Sequence, residues 1–135
     1  MNKKILIVDD DAELAHLAQI TLEKEGHTVI TASDGQEALH RVAADKPDLV
    51  VMDVTMPEMD GFELLDNLKG NAATAAIPTI MLSARGEYSN VLKGREAGVD
   101  FYIPKPYNPY ELTGIIRRIF EDKPATNQEG VDKSQ

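Results

Sequence analysis

The sequence predicts an α/β fold: a doubly wound parallel sheet of five strands, with helices on both faces. Three observations carry this prediction. Short apolar runs alternate five times with segments of helical periodicity along the 135 residues, and such alternation implies βαβ units and a parallel sheet. The runs are continuously apolar, as in Ile5-Leu6-Ile7-Val8 and Leu49-Val50-Val51-Met52, which suits strands buried on both faces. Reactive side chains (Asp9, Asp10, Asp53, Ser83, Lys105) follow these runs, at the sheet edge where open α/β proteins bind ligands.

The elements follow in order. Ile5 to Val8 is the first strand, between two lysines and Asp9-Asp10-Asp11. Leu14, Leu17, Ala18, Thr21 and Leu22 then recur at helical spacing over Ala12 to Glu25, with Asp11 placed as N-cap and Gly26 as the stop. His27 to Thr31 is the second strand. Gln36 to Asp45 is the second helix, carrying Ala38, Leu39, Val42 and Ala43 inward. The third strand, Leu49 to Met52, delivers Asp53, and Gly61 to Lys69 forms a helix around Phe62, Leu64, Leu65 and Leu68. Pro78 to Leu82 is the fourth strand, with Ser83 in the loop after it, and Tyr88 to Ala97 is a weak fourth helix stopped by Gly98. Val99 to Ile103 is the fifth strand. Pro104-Lys105-Pro106 then leads to a last helix, Pro109 to Phe120, capped by Asn108 and with Pro109 in its first turn. The polar, aromatic-free residues that follow read as disordered. The expected domain is residues 1–122, with 123–135 a polar tail or linker.

Composition narrows the function. A formal net charge of -9 argues against nucleic acid or an anionic membrane as a direct partner. Without cysteine there is no disulfide, thiolate metal site or thiol nucleophile, and His16, His27 and His40 lack zinc-site spacing. No apolar run reaches membrane-spanning length, and the four apolar residues after Met1-Asn2-Lys3-Lys4 are too few for a signal peptide. The expectation is a soluble cytoplasmic protein.

In the order 2-1-3-4-5 the first and third strands are neighbours, about 4.8 Å apart, so Asp9, Asp10 and Asp53 converge. Like charges this close need a cation or a bound proton. A hard divalent ion such as Mg²⁺ meets that need. Asp11 alone suffices to cap the first helix, so capping leaves Asp9 and Asp10 unexplained. Ser83 adds a hydroxyl and Lys105 a positive charge from the ends of strands four and five. Such a set suits phosphoryl transfer, in which catalysis is chiefly placement of positive charge and donors around the transferring oxygens.

At Ile5-Leu6-Ile7-Val8-Asp9-Asp10 and Asp53-x-x-Met56-Pro57-x-Met59-Asp60-Gly61 the sequence resembles the receiver domain of two-component response regulators, in its chemotaxis-regulator-like form. Met81-Leu82-Ser83-Ala84, Glu96-Ala97-Gly98-x-Asp100 and Tyr102-Ile103-Pro104-Lys105-Pro106 continue the match, which spans about residues 3 to 120. The resemblance implies a flavodoxin-like (βα)5 three-layer sandwich. It implies Asp53 as phosphoacceptor from a sensor histidine kinase or phosphotransfer protein. Asp10, Asp53 and the backbone carbonyl of Thr55 would ligate Mg²⁺ or Mn²⁺, with Asp9 acting mainly through a metal-bound water. Ser83 and Lys105 would grip the phosphoryl oxygens, Ser83 and Tyr102 would switch, and Thr55 and Arg85 would tune the phosphoryl lifetime. The Lys105-Pro106 bond would be cis.

The same resemblance implies a kinase-docking surface on the outer face of the first helix (Ala15, Leu14, Leu17) and the Pro106-Tyr107-Asn108 loop. It implies a signalling and dimerising face on the fourth helix, fifth strand and fifth helix (Lys93, Arg95, Glu96, Asp100, Arg117, Arg118), serving a downstream protein or an output domain in a monomer or weak homodimer. Phe101 departs from the second acid usual after the position of Asp100, and reads as an apolar contact for another partner. Gly94 fits either close packing or a loosely held helix. No small-molecule cofactor other than the ion is implied, and the chain is expected to catalyse only its own phosphorylation and dephosphorylation. Two other classes compete with this reading: an interaction module that works without phosphorylation, and a phosphohydrolase of the haloacid dehalogenase kind. The latter needs an Asp two residues after the nucleophile, where Thr55 stands.

Overall fold

The computed structural model describes residues 2–56, 58–84 and 98–121. Its order is β1 (Lys4–Val8), α1 (Ala12–Lys24), β2 (Thr28–Ala32), α2 (Gly35–Asp45), β3 (Leu49–Asp53), α3 (Gly61–Lys69), β4 (Thr79–Ala84), β5 (Phe101–Lys105) and α4 (Pro109–Glu121). The strands form one parallel sheet of order β2-β1-β3-β4-β5, as the apolar runs predict. The predicted fourth helix, with Gly94 and the surface residues Lys93, Arg95 and Glu96, lies outside the described residues, as do Arg85 and the tail from residue 122.

Successive strand residues point to opposite faces, and the core divides accordingly. Ile5, Ile7, Leu49, Val51, Ile80 and Leu82 join Ala18 and Leu22 of α1 and Leu112 and Ile116 of α4. Leu6, Val8, Val50, Met52 and Met81 join Ala38 and Val42 of α2 and Leu64, Leu65 and Leu68 of α3. A side chain such as Leu22 or Leu65, wholly buried here, contributes about 1.5–3 kcal/mol by leaving water. This explains why continuous apolar runs, not alternating ones, make the central strands.

Helix ends obey local chemistry. Asp11 accepts from the N–H groups of Glu13 and Leu14, Asp34 from Glu37, and Asp60 forms a capping box with Glu63. Asn108 Oδ1 accepts from the N–H of Tyr110 at 2.8 Å, as its capping position predicts.

Strand ends and small residues depart from expectation. β3, β4 and β5 run further than their apolar stretches, because ladder pairing continues through Asp53↔Leu82 and Ala84↔Lys105. β5 starts two residues later than predicted and tolerates Pro104 because it is an edge strand. Ala15, expected on the outer face of α1, is buried, while Leu17 is 49% exposed. Ala43, expected inward, is exposed, since Gly35, Ala38 and Val42 make the inward stripe of α2. Phe101 is half-buried, packing partly into the core with the Arg118 guanidinium 6.0 Å from its ring centre.

Candidate functional site

Four strands bring their carboxyl ends to one edge. Asp9 follows β1 directly, its N–H donating to Ala32 O of β2 at 3.1 Å. Asp53 is the last residue of β3, Ser83 lies near the end of β4, and Lys105 ends β5. Asp9, Asp53 and Ser83 are all at most 5% exposed, whereas Asp10 faces solvent. One carboxylate oxygen from each of Asp9, Asp10 and Asp53 lies within 4.8 Å of the other two.

Lys105 closes the group. Its Nζ donates to Asp53 Oδ2 at 2.8 Å and lies 3.6 Å from Asp9 Oδ2. Burial alone would lower the Lys105 pKa, but the hydrogen bond and charge of Asp53, then the charge of Asp9, raise it above the ordinary value. It stays a cation at neutral pH. Burial pushes the Asp9 carboxyl up. The Asp11 N–H and Lys105 oppose that shift, while Asp53 and Asp10 add to it. Asp9 Oδ1 accepts from the Asp11 N–H at 2.9 Å. Its Oδ2 is buried with no hydrogen-bond partner among the described residues.

That orphaned oxygen tests the fit to a metal. A buried acceptor without a donor is costly, and three carboxylates of mixed exposure form an oxygen-only set. Hard divalent cations use such ligands while keeping some waters. The residues fit Mg²⁺ or Mn²⁺.

The structure joins most of the predicted group. Thr55 reaches the site through its N–H, which donates to Asp53 Oδ1 at 3.3 Å, and its side chain is exposed. The Lys105-Pro106 bond is cis. Tyr102 stands apart, packed on the α2–α3 side of the sheet, its hydroxyl buried without a hydrogen-bond partner among the described residues. Asp100, expected on a dimerising face, is exposed and also accepts from Thr79 N–H at 2.8 Å and from its hydroxyl at 3.3 Å, pinning the start of β4.

Gly61, part of the Asp53 motif, and Tyr107, read as part of a docking loop, also border the site itself. Gly61 lets α3 approach the strand end: a Cβ there would stand 2.5 Å from Asp53 O. Tyr107 lies with Leu14, Lys105 and Pro106 around a cleft of about 250 Å³. Burial raises its phenol pKa, with Asp9 and Asp53 adding to the shift.

A parallel α/β sheet carrying three acids and a lysine at its carboxyl edge defines a flavodoxin-like domain with an acidic site whose donor set suits a hard divalent cation. The family model described as the response regulator receiver domain matches residues 5–117, and the chain belongs to that family. It is 43% identical over 119 residues to the alkaline phosphatase synthesis transcriptional regulatory protein PhoP of Bacillus subtilis, covering 88% of this chain and 49% of that one. It is 47% identical over 116 residues to the transcriptional regulatory protein CpxR of Escherichia coli, covering 86% and 48%. The chain thus spans about half the length of these curated relatives. Among solved structures, chemotaxis protein CheY4 of Vibrio cholerae superposes with a TM-score of 0.83 at 30% identity, covering 89% of this chain and 100% of that one. The Francisella response regulator 1452 receiver domain superposes with a TM-score of 0.82 at 32% identity, covering 89% and 98%.

Proposed function

We propose that this receiver domain is a phosphoacceptor switch of a two-component system, working in the cytoplasm and taking a phosphoryl group on Asp53 from a histidine kinase or phosphotransfer protein. One observation carries the reading: Asp53 is held 2.8 Å from the Lys105 ammonium, within 4.8 Å of two further carboxylates. Asp9, Asp10, Asp53 and the Thr55 carbonyl would hold Mg²⁺ or Mn²⁺. Bound there, the ion offsets the negative charge gathered between the acids and the incoming group.

An Asp53 oxygen attacks phosphorus, the P–N bond of the phosphohistidine breaks, and its electron pair leaves on the imidazole. Lys105 is already positive and already placed, so it neutralises phosphoryl oxygens without reorganising. The Ser83 hydroxyl donates to another of those oxygens. The phosphate adds about -1.5 to -2 charge, which draws Lys105 and Ser83 toward it and repacks Tyr102. That repacking alters the face formed by β5, α4 and the helix expected from Tyr88 to Ala97, which acts on a downstream protein or an output domain. The likeness to transcriptional regulators of twice this length supports an output that controls transcription. Such a domain turns over no outside substrate; it promotes its own phosphorylation and dephosphorylation.

The test is intact mass after incubation with acetyl phosphate and Mg²⁺, beside Asp53→Asn. A single phosphoryl adduct that needs Mg²⁺ and is absent from the variant is the expected result. A folded, Mg²⁺-binding protein that takes no adduct would leave an interaction module that works unphosphorylated.

A further inference from the structure

At the end of the sheet opposite the acids, a cavity of about 540 Å³ opens between α2, α3 and residues 71–77. Its place follows from its lining: Pro47 precedes β3 and Ile77 precedes β4, so it sits at the amino ends of the strands. Val42 and Leu68 are core residues, and Leu39, Ala43 and Ile77 complete a mainly apolar lining. Small-molecule pockets commonly measure about 300–1,000 Å³, with an apolar body and a few polar groups.

The polar groups of this cavity are largely committed to their own backbone. Asn67 Nδ2 donates to Glu63 O, Asn71 Oδ1 accepts from the N–H of Ala73, and the Thr74 hydroxyl donates to Leu68 O. Lys46 also lines the cavity, and its ammonium makes no hydrogen bond or ion pair among the described residues. Lys46 caps α2 in the left-handed region at φ 51. A non-glycine residue there costs about 1–2 kcal/mol, so the helix keeps a lysine where glycine is cheaper. Strain kept at a cavity mouth points to a use for the side chain.

We propose that this cavity binds a small amphipathic carboxylate, its alkyl or aryl body against Val42 and Leu68 and its anion paired with Lys46. The proposal is independent of phosphorylation at Asp53. Octanoate, with octanol as its neutral twin, is the probe, titrated into the full ¹⁵N-labelled chain while amide shifts are followed. Octanoate should shift Val42, Ala43 and Leu68 saturably and bind more tightly than octanol. An exposed ion pair gives about 0.2–1 kcal/mol, so Lys46→Met should weaken octanoate by up to about five-fold and leave octanol unchanged. Ala43→Phe, on an exposed helix position, places a ring across the cavity and should weaken both by about ten-fold, or about 1.4 kcal/mol. Equal affinity for octanoate and octanol, shifts scattered away from this cavity, or full binding to Ala43→Phe would overturn the proposal. So would dilution-dependent shifts of the same amides without probe, which would assign the cavity to a second copy of the chain.

Discussion

Replacing Asp9 by Asn should make the metal-free protein more stable while weakening its hold on a divalent cation. With an effective dielectric of about 20, repulsion from Asp53, within 4.8 Å, amounts to at least about 3.5 kcal/mol, and attraction to Lys105 at 3.6 Å to about 4.6 kcal/mol. The two offset to within about 1 kcal/mol, and the exposed Asp10 erodes the remainder. What is left is the cost of keeping a carboxylate out of water, the largest influence on its pKa. Asn keeps the acceptor for the Asp11 N–H and sheds the charge. Urea unfolding in EDTA at neutral pH should show a gain of about 1–2 kcal/mol, the size typical of relieving one buried unfavourable group.

The pH dependence of that gain has a definite sign. The folded pKa of Asp9 is raised above 3.8, so the native state holds this proton more tightly than the unfolded chain does. The cost of Asp9 is absent below 3.8 and grows as pH rises through the folded value. The gain in the variant should therefore shrink toward zero in acid. Mg²⁺ should stabilise the wild type by mass action and the variant much less. A variant less stable than wild type in EDTA at neutral pH would refute the reasoning.

Three other outcomes are expected. Gly61→Ala should cost about 1–3 kcal/mol in urea unfolding and slow adduct formation at Asp53, because its Cβ displaces the Asp53 carbonyl. Tyr102→Phe should gain about 1 kcal/mol by removing an unpartnered buried hydroxyl; a loss of stability in the same assay would show that the hydroxyl is partnered. His27 accepts from the Lys3 N–H through Nδ1, and its pKa is lowered, first by burial. The unfolded chain therefore binds the proton more tightly, and stability falls as pH drops below 6.5. His27→Gln should flatten that part of the melting-temperature profile.

Much of the architecture was legible because the physics behind it is local. A run such as Leu49 to Met52 reports burial on both faces, and Asp11 or Asn108 reports a helix start, each from a few neighbouring residues. The charged groups of the site were legible for the same reason: each ends or closely follows an apolar run. The small residues were harder. Ala15 and Ala43 contribute so little to an apolar pattern that their facing was misread, and it was the packed helices that sorted them. Asp100, exposed as a surface acid, carries no mark in the sequence that it also holds Thr79 across 21 residues.

The sequence by itself determined the order of elements, the parallel sheet and the residues gathered at its carboxyl edge, because hydrophobic periodicity and capping act over a few residues. Only the tertiary structure decided how far β3, β4 and β5 run, that Lys105 meets Asp53 across 52 residues, and that Asp9 keeps an unpartnered oxygen beside them. Those outcomes depend on register between strands and on close packing of loops, which no short stretch of chain encodes.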